Sequence, residues 1–395
     1  MYQLSNRVQS MTTSQTLAMA AKARELRAEG KDIISLSLGE PDFNTPDYIK
    51  EAAIKAINDN YSTYTPVDGY VELKDAIINK FKRDNNLTYD RSQIVVSTGA
   101  KQSLANIAMV ILNPGDEVIL PCPYWVSYAE IVKLAEGVPV EVPTSVETDF
   151  KMTPAQLEAA ITPKTKMLWY SSPSNPSGMV YSQEELRALA DVLVKHPDII
   201  VVSDEIYEHI NFVGEHASMA QFEDMYDRVV TVNGVSKAFA MTGWRIGYIG
   251  GPAAIARACN KLQGQITSGA NSIAQRAVIT ALEQPVSKIQ HMVDRFRSRK
   301  DLITRLLKEI PGFVIPAPEG AFYVFPEISY YFGKTIRGHE IKNATDFSMF
   351  LLEEALVATV TGDAFGSPNC LRFSYAASEE EIEEAVKRIK TALQA

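Results

Sequence analysis

Residues 199–210 read IIVVSDEIYEHI, an aliphatic run that ends abruptly in charged and polar residues. Continuous apolar runs of this kind are typical of strands that are buried on both faces of a parallel sheet. Comparable runs precede turn residues in QIVVS (93–97), DEVILP (116–121), KMLWYSS (166–172) and RVVTVNG (228–234). Because helical patterns follow several of them, the sequence predicts an α/β core with a largely parallel sheet.

Polar residues follow these strands at the edge where α/β sheets bind their ligands. Asp204 comes directly after IIVVS, so its carboxylate begins in a partly desolvated place and needs a cationic or N–H partner. A helix N-cap is the alternative role for this residue. Tyr207 lies three residues later and shares the face of Asp204 if a helix starts at once.

Three further strand ends carry weaker signals. STGAKQ (97–102) places small residues before a helix, where free N–H groups favour an anion, although an ordinary strand-to-helix turn explains the same pattern. Asn175 lies in the turn PSNPSG (173–178). Trp125 in PCPYW is either a core aromatic or a plate that stacks on a flat ligand.

The stretch GVSKAFAMTGWRIG (234–247) adds two cations at a fixed separation, Lys237 and Arg245. Pyridoxal phosphate needs an amine for a Schiff base, an anion beside its ring nitrogen and cations for its phosphate. Lys237, Asp204 and Arg245 supply these three groups. The sequence therefore predicts a pyridoxal phosphate site at the strand ends.

Size and composition narrow the class of protein. A chain of 395 residues exceeds the roughly 250–300 residues at which one core stops growing, so two domains are expected. The net charge of −9 argues against nucleic-acid or anionic-membrane partners. No apolar run approaches a membrane span, and the first residues lack a signal-peptide core, which predicts a cytoplasmic protein. The three cysteines and five histidines show no ligand spacing, so no metal site is expected.

Residues 284–310 are predicted to form one long amphipathic helix, and the pattern of the sequence changes after the PG that follows it, which indicates a second, smaller α+β domain. We expect an N-terminal arm over 1–11, a small domain formed by 12–45 with 287–395, and a large domain over 46–286. The last helix opens with Ser378 and Glu381, which fit a capping box.

An ordered set of motifs extends over the whole chain: SLGEPDFNTP, YTPVDG, STGAKQ, PYW, SNPSG, SDEIYEH, GVSKAFAMTGWRIG, PEGAFY and LRFSYA. The chain resembles the class I, fold-type I aminotransferases in all of them. The resemblance implies a three-layer α/β/α large domain with a mostly parallel seven-stranded sheet, a smaller α+β domain, and pyridoxal 5′-phosphate as cofactor. It also implies a homodimer with composite active sites.

The resemblance also assigns roles to residues. Lys237 forms the Schiff base and shuttles the proton, Asp204 pairs with the ring nitrogen, and Tyr207 with Asn175 binds the ring 3-oxygen. Trp125 stacks on the ring. The implied phosphate ligands are Arg245, Ser236, the N–H groups around Gly99, Ala100 and Lys101, and Tyr64 from the neighbouring subunit.

On the substrate side, the resemblance implies that Arg372 grips the α-carboxylate, with Gly39 adding a backbone contact and Asn175 and Trp125 lining the same space. Lys101 and Thr16 look like the residues that one bacterial and plant subgroup uses for a distal carboxylate. We therefore expect transamination between L-aspartate and 2-oxoglutarate.

The alternatives are prephenate, aromatic or alanine transamination, a C–S lyase, and a non-catalytic regulatory module. The resemblance also predicts cis bonds at Cys122–Pro123 and Asn175–Pro176.

Overall fold

The computed structural model describes residues 2–12 and 15–394, without the side chains of residues 15–17. The strands are β1 Ile34–Ser35, β2 Ile94–Ser97, β3 Glu117–Pro121, β4 Val138–Val142, β5 Thr165–Ser171, β6 Ile200–Asp204, β7 Val229–Gly234, β8 Gly247–Gly250, β9 Tyr323–Val324, β10 Lys334–Ile336, β11 His339–Ile341, β12 Val357–Ala358, β13 Val360–Thr361 and β14 Leu371–Ser374. The helices are α1 Asn6–Gln9, α2 Gln15–Ala28, α3 Asp47–Asn58, α4 Val71–Asn85, α5 Ala100–Ile111, α6 Ser127–Leu134, α7 Pro154–Ala160, α8 Gln183–Leu193, α9 Ala253–Ile266, α10 Ser272–Glu283, α11 Gln290–Lys308, α12 Ala344–Glu354 and α13 Glu379–Leu393.

The central sheet has seven strands in the order β2-β8-β7-β6-β5-β3-β4. All neighbours are parallel except β8, which runs antiparallel to both β2 and β7. The predicted α/β fold with a mostly parallel seven-stranded sheet is therefore confirmed.

Successive residues of the central strands enter opposite cores, which explains their continuous apolar character. Val201 and Val229 belong to the core that packs with α3, α4, α8 and α10. Val202 and Val230 belong to the core under α5, α6 and α9. A polar residue at any of these positions would face an apolar layer, so the strands carry no alternation.

The C-terminal part forms a further core around α11, α12 and α13. Its three-stranded sheet has the order β13-β14-β9, and β1 pairs in parallel with β12, which joins residues 34–35 to this part of the chain. The predicted capping box at the start of α13 is confirmed, because Ser378 accepts a hydrogen bond from the Glu381 N–H and Glu381 accepts one from the Ser378 N–H. The predicted domain boundaries stay predictions.

The segment after β6 differs from the helical pattern expected for DEIYEHI. Turns replace the helix, so Asp204 is not a helix N-cap. The cause is tertiary pairing: the Phe212 N–H donates to the Glu319 carbonyl, and the Ala321 N–H donates to the Ile210 carbonyl. Backbone groups that bond to the distant segment 319–321 are not free for a helix.

The two predicted cis bonds, Cys122–Pro123 and Asn175–Pro176, are both present, and Ser172–Pro173 is a third that was not predicted.

Within the described part of the chain, no helix combines the length and the apolar character needed to cross a membrane.

Candidate active site

A pocket of about 300 Å³ lies at the carboxyl ends of β5, β6 and β7. Six of the predicted site residues line it from the sheet edge and the loops that follow: Trp125, Asn175, Asp204, Tyr207, Ser236 and Lys237. Five others reach it from other parts of the chain: Gly39, Ala100, Lys101, Arg245 and Arg372. The fold thus gathers residues separated by more than 300 positions into one cavity.

Lys237 places an amine inside this pocket. Its Nζ donates a hydrogen bond of 2.6 Å to the carbonyl of Gly39. Burial lowers the pKa of the Lys237 amine to about 8, with the Arg372 and Arg245 charges acting in the same direction and Glu40 and Asp204 against it. A lysine with this pKa is partly neutral near pH 7–8, which is the state a nucleophilic amine needs.

Asp204 supplies a buried carboxylate in the same pocket. Its Oδ2 accepts a hydrogen bond of 2.6 Å from the Tyr128 hydroxyl, and its Oδ1 accepts one of 3.3 Å from the Ile206 N–H. Burial raises the pKa of the Asp204 carboxyl to about 6, and both hydrogen bonds act to lower it. The group is therefore ionised near neutral pH, and the weakly held Oδ1 retains capacity to bond a ligand.

The pocket also holds a site suited to a phosphate. Arg245 has a left-handed backbone conformation, with φ +58°, and its side chain crosses Gly99 so closely that a Cβ there would collide with the guanidinium. Gly99 is the N-cap of α5, so the first N–H groups of that helix lie beside the same guanidinium. A Cβ on Gly247 would strike the backbone of Ala100. These glycines bring a cation and a helix N-terminus together.

Arg372 is a buried guanidinium brought in by β14. It donates hydrogen bonds of 2.9 Å to Asn175 Oδ1 and 2.6 Å to the Ser37 carbonyl. The guanidinium also lies 4.6 Å from the centre of the Tyr323 ring. Burial lowers the pKa of Arg372. Its Nε has no hydrogen-bond partner among the described residues. A buried donor without an acceptor suits a carboxylate ligand.

Lys101 and Trp125 form a pair at another wall of the pocket. Lys101 Nζ lies 4.7 Å from the centre of the Trp125 ring. Burial lowers the pKa of Lys101, and the charge of Arg245 lowers it further. Lys101 contributes a second ammonium group to the pocket besides Lys237.

Among the described residues, two that were predicted for the site, Tyr64 and Gly99, do not line the pocket. Tyr64 is 97% exposed. The prediction for the side chain of Thr16 lies outside the described residues. Gly99 contributes through its contact with Arg245 and is not itself a lining residue.

The pocket residues that sequence reasoning missed include two tyrosines, Tyr128 and Tyr323. Tyr323 donates to or accepts from the Tyr207 hydroxyl at 2.8 Å, and its own hydroxyl lies where a Cβ of Gly39 would be. The signals were present, because Tyr128 follows Trp125 by three residues and Tyr323 ends the motif PEGAFY.

Next to the pocket lies a separate set of charges, the buried ionic cluster of Lys80, Glu205, Glu208, His209 and His216. Lys80 contacts the Glu208 carboxylate. The same carboxylate lies 3.2 Å from His209 Nε2 and accepts a hydrogen bond of 2.7 Å from the Asn85 amide. His216 lies 3.0 Å from Glu205.

Ligand atoms of Glu205, Glu208 and His216 lie within 4.8 Å of one another. Since Lys80 already provides a positive charge to Glu208, these groups make an internal ion-pair network. The prediction that the protein has no metal site stays a prediction.

Residues 31–389 match the sequence profile of the family "Aminotransferase class I and II". The chain belongs to this family. It is 50% identical over 391 residues to the aspartate/prephenate aminotransferase of Cereibacter sphaeroides, with 98% of each chain covered.

This aminotransferase also has close structural relatives. The aspartate aminotransferase of Rhizobium meliloti superimposes with a TM-score of 0.96 at 45% identity, covering 99% of each chain. The aspartate aminotransferase of Thermus thermophilus with maleate gives 0.94 at 43% identity, covering 100% of each chain.

The cofactor of this aminotransferase is pyridoxal 5′-phosphate, and the pocket residues fit that group. Lys237 is an amine with a lowered pKa, Asp204 is a buried anion with a free acceptor site, and Arg245 stands beside the N-terminus of α5. These groups match the amine, the anion beside the ring nitrogen and the phosphate-binding cation that the cofactor requires.

Proposed function

We propose that the protein catalyses ping-pong transamination between L-aspartate and 2-oxoglutarate, giving oxaloacetate and L-glutamate. The observation that carries this proposal is the presence of two substrate cations in one pocket, Arg372 and Lys101, in addition to Lys237. An amino acid with one carboxylate needs only the first of them. A dicarboxylic substrate uses both.

The catalytic roles follow from the contacts of each residue. Lys237 Nζ holds the cofactor and then takes the proton from the substrate α-carbon, because its pKa of about 8 suits an amine that gains and loses a proton near neutral pH. Bound pyridoxal phosphate supplies an electron sink conjugated with that carbon. Asp204 holds the protonated ring nitrogen.

The remaining pocket residues position the cofactor and the substrate. Tyr207 and Asn175 bind the ring 3-oxygen, and Trp125 covers the ring. Arg245, Ser236 and the N-terminus of α5 bind the phosphate. Arg372, whose Nε has no hydrogen-bond partner among the described residues, binds the α-carboxylate, and Gly39 adds a backbone contact.

The names of similar proteins support a dicarboxylic substrate. Two structural relatives are aspartate aminotransferases, and one of them was solved with maleate, which is a dicarboxylate. Prephenate is the second candidate, because the Cereibacter sphaeroides relative is an aspartate/prephenate aminotransferase and prephenate also carries two carboxylates.

A homodimer with shared active sites is part of the proposal. Tyr64 is 97% exposed and lies outside the pocket of its own chain, as a residue that serves a neighbouring subunit would. Ile54, Ile57 and Ile266 are also more than half exposed. Apolar side chains of this size are common at subunit contacts. We also propose a cytoplasmic location, which suits the three free and buried cysteines.

The first experiment follows the visible band of the bound cofactor after separate additions of L-aspartate, L-glutamate, L-phenylalanine and L-alanine without a keto acid. We expect aspartate and glutamate to convert the band to the pyridoxamine form. Prephenate is then tested as acceptor. A reaction with phenylalanine or alanine but not with aspartate would contradict the dicarboxylate assignment, and the absence of any band would contradict the proposed function.

The variant Lys101→Ser tests the second cation. We expect kcat/KM for aspartate to fall by about tenfold to a hundredfold relative to alanine, since one charge-assisted contact contributes about 1.5–3 kcal/mol. Lys133→Ser is the matched control, because Lys133 pairs with Glu130 outside the pocket. Equal losses for both substrates would show that Lys101 does not read the distal carboxylate.

A further inference from the structure

Tyr128 is the closest protein partner of the pocket carboxylate. Its hydroxyl donates to Asp204 Oδ2 at 2.6 Å, and its side chain is 1% exposed. The only other donor to the Asp204 carboxylate among the described residues is the Ile206 N–H at 3.3 Å on Oδ1. One oxygen of Asp204 is thus held firmly by Tyr128, and the other is held weakly.

Aromatic packing prevents the Tyr128 hydroxyl from turning away. The ring lies 4.5 Å from the Trp169 ring and 5.7 Å from the Trp125 ring, which meets it edge to face. Burial and the charge of Asp204 raise the pKa of Tyr128 well above its usual value. The raised pKa favours the protonated phenol, which is the form that donates to Asp204.

We propose that Tyr128 is a positioning residue, whose hydroxyl keeps Asp204 charged and keeps Oδ1 directed toward the ring nitrogen of the cofactor. This inference rests on the proposed function, in which Asp204 binds that nitrogen. Trp125 links Tyr128 to the cofactor site, because the indole that covers the cofactor ring in the proposed function also packs against the Tyr128 ring.

The electrostatics of Asp204 support this role. Burial favours the neutral acid, and the hydrogen bond from Tyr128 is the largest effect that opposes it. Without the hydroxyl, Oδ2 has no donor, so the carboxyl binds a proton more readily. A protonated Asp204 does not stabilise a protonated ring nitrogen.

The test uses the holoenzyme of Tyr128→Phe, which removes one oxygen and retains the ring. Tyr124→Phe is the matched control, because Tyr124 is also buried and donates 2.6 Å to the carboxylate of Glu141 but does not line the pocket. The cofactor carries ¹⁵N in its ring, and the ¹⁵N NMR shift reports directly whether that nitrogen is protonated. Circular dichroism confirms that both variants are folded.

In Tyr128→Phe we expect the ¹⁵N shift to move toward the unprotonated value and the pH midpoint of the visible band to rise, because the ring carries less positive charge. We also expect the dissociation constant of the cofactor to increase by about tenfold to a hundredfold. Tyr124→Phe should match the wild type in all three measurements.

Three results distinguish the ideas. A Tyr128→Phe holoenzyme with the wild-type ¹⁵N shift and band midpoint would overturn the role of Tyr128 and leave the proposed function intact. Equal changes in both variants would also overturn it, since they would indicate a general effect of losing a buried phenol. A wild-type protein that binds no cofactor would refute the proposed function itself.

Discussion

Residues 204 and 207 face the pocket, whereas residues 205 and 208, their immediate neighbours, enter the buried ionic cluster. Asp204 keeps one weakly bound oxygen available to a ligand. The carboxylates of Glu205 and Glu208 have partners within the protein. Glu205 receives hydrogen bonds from Ser203 and Ser218, and Glu208 contacts Lys80. Buried carboxylates thus have different roles within five residues. The one in the pocket keeps hydrogen-bonding capacity for a ligand, and those in the ionic cluster bond to other parts of the protein and hold this segment in place.

The two sides also differ in pKa. Burial raises the pKa of Asp204 to about 6. Burial acts in the same direction on Glu208, but the charges of Lys80, His209 and His216 outweigh it and hold the pKa well below its usual value. Neutralising partners, rather than burial alone, decide whether the pKa of a buried carboxylate is raised or lowered.

The largest expected effect lies on the pocket side. Lys237→Ala should abolish the visible cofactor band and the half-reaction with every amino acid, because no other amine holds the cofactor. Stability should not fall, since a buried amine with a lowered pKa is removed. Absorbance and thermal unfolding test both points. If this variant retained transamination, Lys237 would not be the catalytic amine, and the contrast between a ligand-binding pocket and a structural ionic cluster would fail.

Arg372→Ala should reduce kcat/KM for aspartate and alanine alike, by roughly 10²- to 10⁴-fold. The reason is that two charge-assisted contacts of about 1.5–3 kcal/mol each are lost. Steady-state kinetics with both substrates measure the effect, and Arg388→Ala at the surface pair with Asp32 is the control. A loss confined to aspartate would mean that Arg372 reads the distal carboxylate instead.

On the other side, Lys80→Met should lower the free energy of unfolding by about 3–5 kcal/mol, because Glu208 is left as an unpaired buried charge. Adding Glu208→Leu should restore most of the loss, since both charges are then absent. Urea unfolding measures the stabilities, and the exposed pair Lys55–Asp59 provides the control variant Lys55→Met. If Lys80→Met is as stable as the wild type, the cluster does not stabilise the fold.

The smallest effect depends on pH. Burial acts to lower the pKa of His216, but Glu205 outweighs it and raises the pKa above its usual 6.5. A raised pKa contributes stability that is complete below 6.5 and is lost as the pH rises through the folded value. The wild type should therefore exceed His216→Gln in unfolding free energy by at most about 1.5–3 kcal/mol at pH 6, and by less at pH 9. A pH-independent difference would contradict the charged pair.

The sequence by itself determined the class of the fold and the chemistry of the site. Continuous apolar runs such as IIVVS are local patterns, and burial on both faces is the environment that suits them. The residues Lys237, Asp204 and Arg245 stand in motifs whose order along the chain is readable without coordinates.

Only the tertiary structure decided which distant groups meet. Arg372 bonds to Asn175 across 197 positions, and Tyr128 bonds to Asp204 across 76. The turn after β6 also has a tertiary cause, because its backbone pairs with residues 319–321 rather than forming a helix. That turn sends Asp204 and Tyr207 to the pocket, Glu205 to Ser218 and His216, and Glu208 to Lys80. Local patterns decide which elements form, whereas packing between distant elements decides what each side chain contacts.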